Sequence, residues 1–92
     1  MTKLTLFYQE TCPYCIHAKK AIHEIREEDP AFSSIEIDWI EETRRPALAE
    51  QYDYYYVPAV FYGKKKLYEA SPLHNYTAVK KHIRAAFHAA GK

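Results

Sequence analysis

The chain of 92 residues holds two cysteines, Cys12 and Cys15, and they stand where two hydrophobic periodicities meet. Before them, Leu4 to Tyr8 is a short apolar, β-favouring run. After them, Cys15, Ala18, Ile22 and Ile25 recur at spacings of three and four, the stripe of an amphipathic helix. Lys19, Lys20, His23 and Arg26 lie mostly off that stripe. Pro13 follows Cys12 directly and suits the first helical position, where proline sacrifices no hydrogen bond. The junction therefore predicts strand, turn and helix, with Cys12 as the helix N-cap.

The remaining pattern extends this start. Asp29-Pro30 ends the first helix. Ile35 to Trp39 reads as a second strand. Thr43-Arg44-Arg45-Pro46 opens a second helix, with Leu48, Ala49 and Tyr52 as its buried side. Ala59 to Tyr62 is a third strand, Gly63-Lys64 a turn and Lys66 to Ala70 a fourth strand, whose lysines suit a sheet edge. Ser71-Pro72 has the form of an N-cap followed by a first-turn proline. Tyr76, Val79, Ile83, Phe87 and Ala90 line a final helix. The order is β-α-β-α-β-β-α. Its first half is a parallel crossover unit. The whole predicts an α/β sandwich of helices on a small mixed sheet.

Length and composition set the class. Residues 1–92 fit one domain, and 48% hydrophobic residues can fill one core. A formal net charge of +1, with both signs dispersed, offers no footprint for nucleic acid and no membrane-surface anchor. The run Lys64-Lys65-Lys66 is explained by a solvated turn. No apolar stretch approaches the roughly 20 residues of a membrane span. The opening residues lack the apolar region of a secretory signal. A cytoplasmic, monomeric protein is the expectation.

In that setting two close cysteines suggest redox chemistry or a metal rather than a structural disulfide, which stabilises most by closing a long loop. A sulfur at the N-cap lies over the free N–H groups of the first turn, which favour the thiolate, the species that attacks disulfides. Cys15, one turn later, opens the apolar stripe and is expected to be buried. Exposed Cys12 then acts as nucleophile and protected Cys15 as resolver. Two ordinary core cysteines fit the junction poorly. A zinc site lacks a second cysteine pair, and His17 and His23 do not converge on both sulfurs. A soft-metal carrier using only the two thiolates stays open.

Thr11-Cys12-Pro13-Tyr14-Cys15 resembles the active-site motif of dithiol glutaredoxins, and Val57-Pro58 resembles the second landmark of the thioredoxin-like fold. The resemblance spans Leu4 to about Phe87. It implies a βαβαββα fold with a four-stranded mixed sheet flanked by three helices. It also implies a cis bond before Pro58 opposite the cysteines, with Pro13 and Tyr14 shaping the site. The Val57 backbone is expected to pair with the cysteinyl part of a thiol substrate. For glutathione binding it implicates Gln9, Arg45 in the first turn of helix two, and Ser71 at the start of the final helix; apart from the resemblance, Tyr55 and Tyr56 of the tyrosine run before Val57 could line the groove beside Cys12 and contact substrate. Arg44 and Arg45 could instead pair with Glu41 or Glu42. The chain departs from the family pattern where Tyr68 and Glu69 replace a Gly-Gly pair, Pro72 replaces an acid and Tyr56 replaces a threonine. Tyr68 and Glu69 are expected to crowd the ligand.

The resemblance implies an enzyme that reduces protein disulfides or small mixed disulfides, with no permanently bound cofactor or metal and with glutathione as electron donor. Two alternatives accompany it. One is a thioredoxin-like reductase served by a flavoprotein thioredoxin reductase. The other, of a different class, is an iron–sulfur or metal-binding module.

Overall fold

A computed structural model describes residues 3–90; residues 1, 2, 91 and 92 of the expected 1–92 unit lie outside the described residues. The elements are β1 (Lys3–Tyr8), α1 (Pro13–Glu28), a 3-10 turn (Pro30–Ser34), β2 (Glu36–Glu41), α2 (Pro46–Ala49), β3 (Ala59–Tyr62), β4 (Lys65–Glu69) and α3 (Tyr76–Ala90). The sheet order is β2-β1-β3-β4. β1 pairs in parallel with β2, from Lys3 opposite Glu36 to Tyr8 opposite Glu41. β3 is antiparallel to both β1 and β4. This is the expected βαβαββα order on a mixed sheet.

Because strand side chains alternate between faces, interior strand β1 serves two cores at once. Leu4 and Leu6 face α1 and α3, joining Ile22, Ile25, Val60, Val79, Ile83 and Phe87. Phe7 faces the other way, into a smaller cluster with Ile40, Ala59 and Phe61. Leu48, Tyr52, Tyr54 and Val57 cover that second cluster. Here the second helix is much shorter than a full amphipathic helix: α2 is a single turn, and the chain from Tyr52 onward packs as an irregular strap instead. The β3–β4 hairpin turns at Gly63, whose φ of +60° is open to glycine at little cost. Among the described residues no helix is long and apolar enough to cross a membrane.

The start of the final helix corrects the sequence reading. Ser71 does not cap it. The Ser71 carbonyl accepts from the His74 N–H at 2.9 Å, and its hydroxyl accepts from the Leu73 N–H at 3.2 Å, closing a separate turn. α3 begins at Tyr76, and the Asn75 side chain accepts from the Ala78 N–H at 2.9 Å. Asn75→Ala is therefore expected to cost about 1 kcal/mol in urea unfolding, while Ser71→Ala costs a few tenths at most. Equal losses from the two variants would contradict this assignment.

Candidate active site

The site forms where β1 ends. The Cys12 N–H donates to the Gln9 carbonyl at 3.1 Å, which tightens the turn out of the strand. Cys12 then takes extended angles, φ −81° and ψ 122°, and Pro13 starts the helix. The Cys12 carbonyl accepts from Cys15 N–H at 3.1 Å and Ile16 N–H at 3.2 Å. Cys12 is the N-cap, as its sequence position predicts. Its sulfur, however, makes no capping bond to the first-turn amides. It turns across the site, and the thiol donates to the Val57 carbonyl at 3.7 Å.

The two thiols are free and differ sharply in exposure: Cys12 is half-exposed, while Cys15 retains 1% of its surface. The Gln9 N–H donates to Cys15 Sγ at 3.4 Å. Burial pushes the Cys15 thiol up to about 12; the Gln9 N–H pulls the other way, and Cys12 and Glu42 act with burial. Opposite Cys12 the Val57–Pro58 bond is cis, and Pro58 is buried. The Pro58 carbonyl accepts from the Ala70 N–H at 2.9 Å, fastening this segment to the end of β4.

A family model for glutaredoxin matches residues 4–67, which includes both cysteines and Pro58. The chain belongs to the glutaredoxin family. It is thus a thiol–disulfide oxidoreductase of the thioredoxin superfamily. No curated protein matches it in sequence. Among solved structures, thioredoxin 1 from Thermosipho africanus TCF52B has a TM-score of 0.60 at 18% identity, over 98% of this chain and 99% of that one. A mutant thioredoxin from Halobacterium salinarum NRC-1 gives 0.58 at 22% identity, over 94% and 74%. A structure described as a malarial protein gives 0.61 at 12% identity, over 91% and 94%. These likenesses show a thioredoxin-like fold.

The candidate site residues fall into two groups. Gln9 and Val57 meet the cysteines directly, and Pro58 follows Val57 through the cis bond. Tyr14 is half-buried, and its hydroxyl donates to the Pro72 carbonyl at 3.2 Å, so the helix start is tied to the loop after β4. Arg45, Tyr56 and Ser71 make no hydrogen bond to either sulfur among the described residues. Arg45 is the N-cap of α2 rather than a first-turn residue, and it is exposed with no ion pair among the described residues. Arg44 pairs with Glu10 at 3.1 Å. The Thr43 and Glu10 hydrogen bonds hold the Glu41 carboxyl below its ordinary value, and the Arg44 charge adds to them. Tyr56 is 54% exposed and Tyr55 86%. The Gln9 side-chain amide donates to Glu42.

The two residues that stand in place of the Gly-Gly pair point to opposite sides of β4. Tyr68 points into the core, 6% exposed, with its ring stacked on His74 and His82. Its hydroxyl meets His74 Nδ1 at 3.0 Å. Glu69 turns the other way and accepts from the backbone N–H groups of Tyr55, at 2.5 Å, and Tyr56, at 2.8 Å, while Lys66 donates to it at 2.9 Å. It braces the segment leading into Val57. Glu42, Tyr54 and Glu69 are the supporting residues that sequence reasoning missed. Strand register carried one usable signal: Tyr8 and Glu41 are partners, so the residues after them emerge side by side.

Proposed function

We propose that the protein reduces protein disulfides and glutathione mixed disulfides by a dithiol mechanism, with Cys12 as nucleophile and Cys15 as resolver. The difference in exposure between the sulfurs supports this most directly: a substrate disulfide reaches Cys12 and cannot reach Cys15. The Cys12 thiolate attacks one substrate sulfur and the disulfide breaks. The first thiolate leaves and takes a proton, and a mixed disulfide joins Cys12 to the remaining part. Cys15 gives up its proton and attacks Cys12 Sγ. The second thiol leaves, and a Cys12–Cys15 disulfide holds the two-electron oxidation. Two glutathione thiols return the pair to the reduced state and become one glutathione disulfide. We place this cycle in the cytoplasm, in a monomer with no resident cofactor. The exposed Arg45 guanidinium supplies a cation for a glutathione carboxylate.

A second reading, a protein reductase fed by a flavoprotein thioredoxin reductase, is favoured by one observation. Ile16, Tyr55, Tyr56 and Leu73 are exposed on the segments that frame the site, and such apolar surface suits a polypeptide better than a tripeptide. Both readings are tested by following reduction of a glutathione mixed disulfide and of a protein disulfide with each electron supply in turn. Turnover with glutathione and glutathione reductase is expected. Turnover only with the thioredoxin reductase system would reverse the choice.

A further inference from the structure

Glu42 stands at the point where two walls of the site meet. The parallel pair Tyr8 and Glu41 ends the β1–β2 ladder, and the Glu42 N–H donates to the Tyr8 carbonyl at 3.0 Å. Gln9 and Glu42 therefore leave the sheet as neighbours, at the carboxyl ends of parallel strands. One Glu42 oxygen accepts from Gln9 Nε2. The other accepts from the Tyr54 hydroxyl at 2.5 Å. Gln9 is the residue whose backbone N–H faces Cys15 Sγ. Tyr54 lies three residues before Val57, whose carbonyl faces Cys12. Tyr54 is itself fixed by stacking on Phe7, with ring centroids 5.0 Å apart. Burial first, and then the Glu42 carboxylate, push its phenol up, so the hydroxyl stays a donor.

We propose that Glu42 is a positioning residue for the resolving step: tied to Tyr54, it holds the Gln9 turn so that the Gln9 N–H faces Cys15 Sγ. This rests on the dithiol reading above. In that step negative charge develops on Cys15 as its proton leaves, and an N–H already aimed at the sulfur stabilises that charge. The first attack, by Cys12, does not use this N–H. The charge of Glu42 acts in the opposite sense, since a carboxylate near Cys15 disfavours a second anion. The titratable groups acting on Cys15 are Cys12 at the helix start and Glu42 at the end of β2.

Variants that loosen the tie but keep the charge separate these effects. Tyr54→Phe removes one hydroxyl and keeps the stacked ring. Gln9→Ala removes the side-chain amide and keeps the backbone N–H. In a Cys12→Ser background, the NMR shift of the Cys15 Cβ is followed through alkaline pH, together with the Gln9 amide proton. Each variant is expected to move the Cys15 titration to higher pH by about half a unit and to weaken the Gln9 amide shift. The double variant is expected to give less than the sum of the two. In the dithiol protein, Tyr54→Phe slows stopped-flow release of the second thiol about threefold, while mixed-disulfide formation keeps its rate. An unmoved Cys15 titration in both variants overturns the proposal, as does slowing of the first attack with release unchanged. The titration needs no substrate, so a wild-type protein that reduces no disulfide would refute the functional reading and leave the positioning result to be read by itself.

Discussion

Cys12→Ser is expected to abolish turnover of every disulfide substrate, a loss on the order of a thousandfold or more, because a serine hydroxyl is un-ionised at neutral pH and a poor nucleophile toward sulfur. Cys15→Ser is expected to behave differently. Glutathione mixed disulfides need only Cys12, since a second glutathione can resolve the intermediate. Their reduction should continue within a few-fold of wild type. Reduction of protein disulfides through the dithiol route should fall at least tenfold, with the Cys12 mixed disulfide accumulating and visible by mass spectrometry. Cys15 is buried and its thiol is pushed up to about 12. Below that value the thiolate fraction rises about tenfold per pH unit, so a resolving step limited by Cys15 ionisation should speed up well past neutrality. In Cys15→Ser the glutathione thiolate does the resolving, so the rise should level off near the ordinary thiol value of about 8.5. Full activity in Cys12→Ser, or an accumulating adduct on Cys15, would reverse the roles of the two sulfurs.

The parts of this site that local pattern encodes were legible in the sequence. Cys12 and Pro13 stand at a strand–helix junction, and the structure has the N-cap and first-turn proline there. Cys15 opens the apolar stripe of α1 and is accordingly buried. The same signature at Ser71-Pro72 misleads, for a tertiary reason. The Pro72 carbonyl is occupied by the Tyr14 hydroxyl, and the Ser71 turn closes on His74, which in turn meets Tyr68. The helix waits for Asn75. The shortness of α2 has a comparable origin: Tyr52 and Tyr54 bury their rings on Phe7 and Phe61, so the chain after Ala49 follows the sheet face instead of a helical path. Glu42 is an ordinary acid in the linear sequence, and Glu69 stands out there only as a departure from the family pattern. Their work depends on which backbone and side-chain donors the register and the 52–57 strap bring to them, and no local periodicity encodes that.

The strap and the site share one anchor, and removing it should show how strongly they depend on each other. Phe7 is fully buried, with rings of Tyr52 at 4.7 Å, Tyr54 at 5.0 Å and Phe61 at 5.9 Å. Phe7→Ala removes the centre of this cluster, and α2 is too short to collapse into the space. The expected loss is about 3–5 kcal/mol in urea unfolding, a large share of the roughly 5–15 kcal/mol typical of whole domains. Tyr56→Ala, which removes an exposed ring two residues before Pro58, should change stability by about 0.5 kcal/mol or less. The contrast tests more than packing. If the strap is held by Phe7, the remaining folded Phe7→Ala protein should lose the fixed Tyr54 hydroxyl as well, and its resolving step should slow in the same direction as in Tyr54→Phe. A loss below about 1 kcal/mol would mean that the smaller cluster is not what fastens the 52–57 segment to the sheet. The bracing would then fall to Glu69, whose carboxylate holds the Tyr55 and Tyr56 N–H groups, and Glu69→Ala would become the more damaging substitution for the placement of Val57.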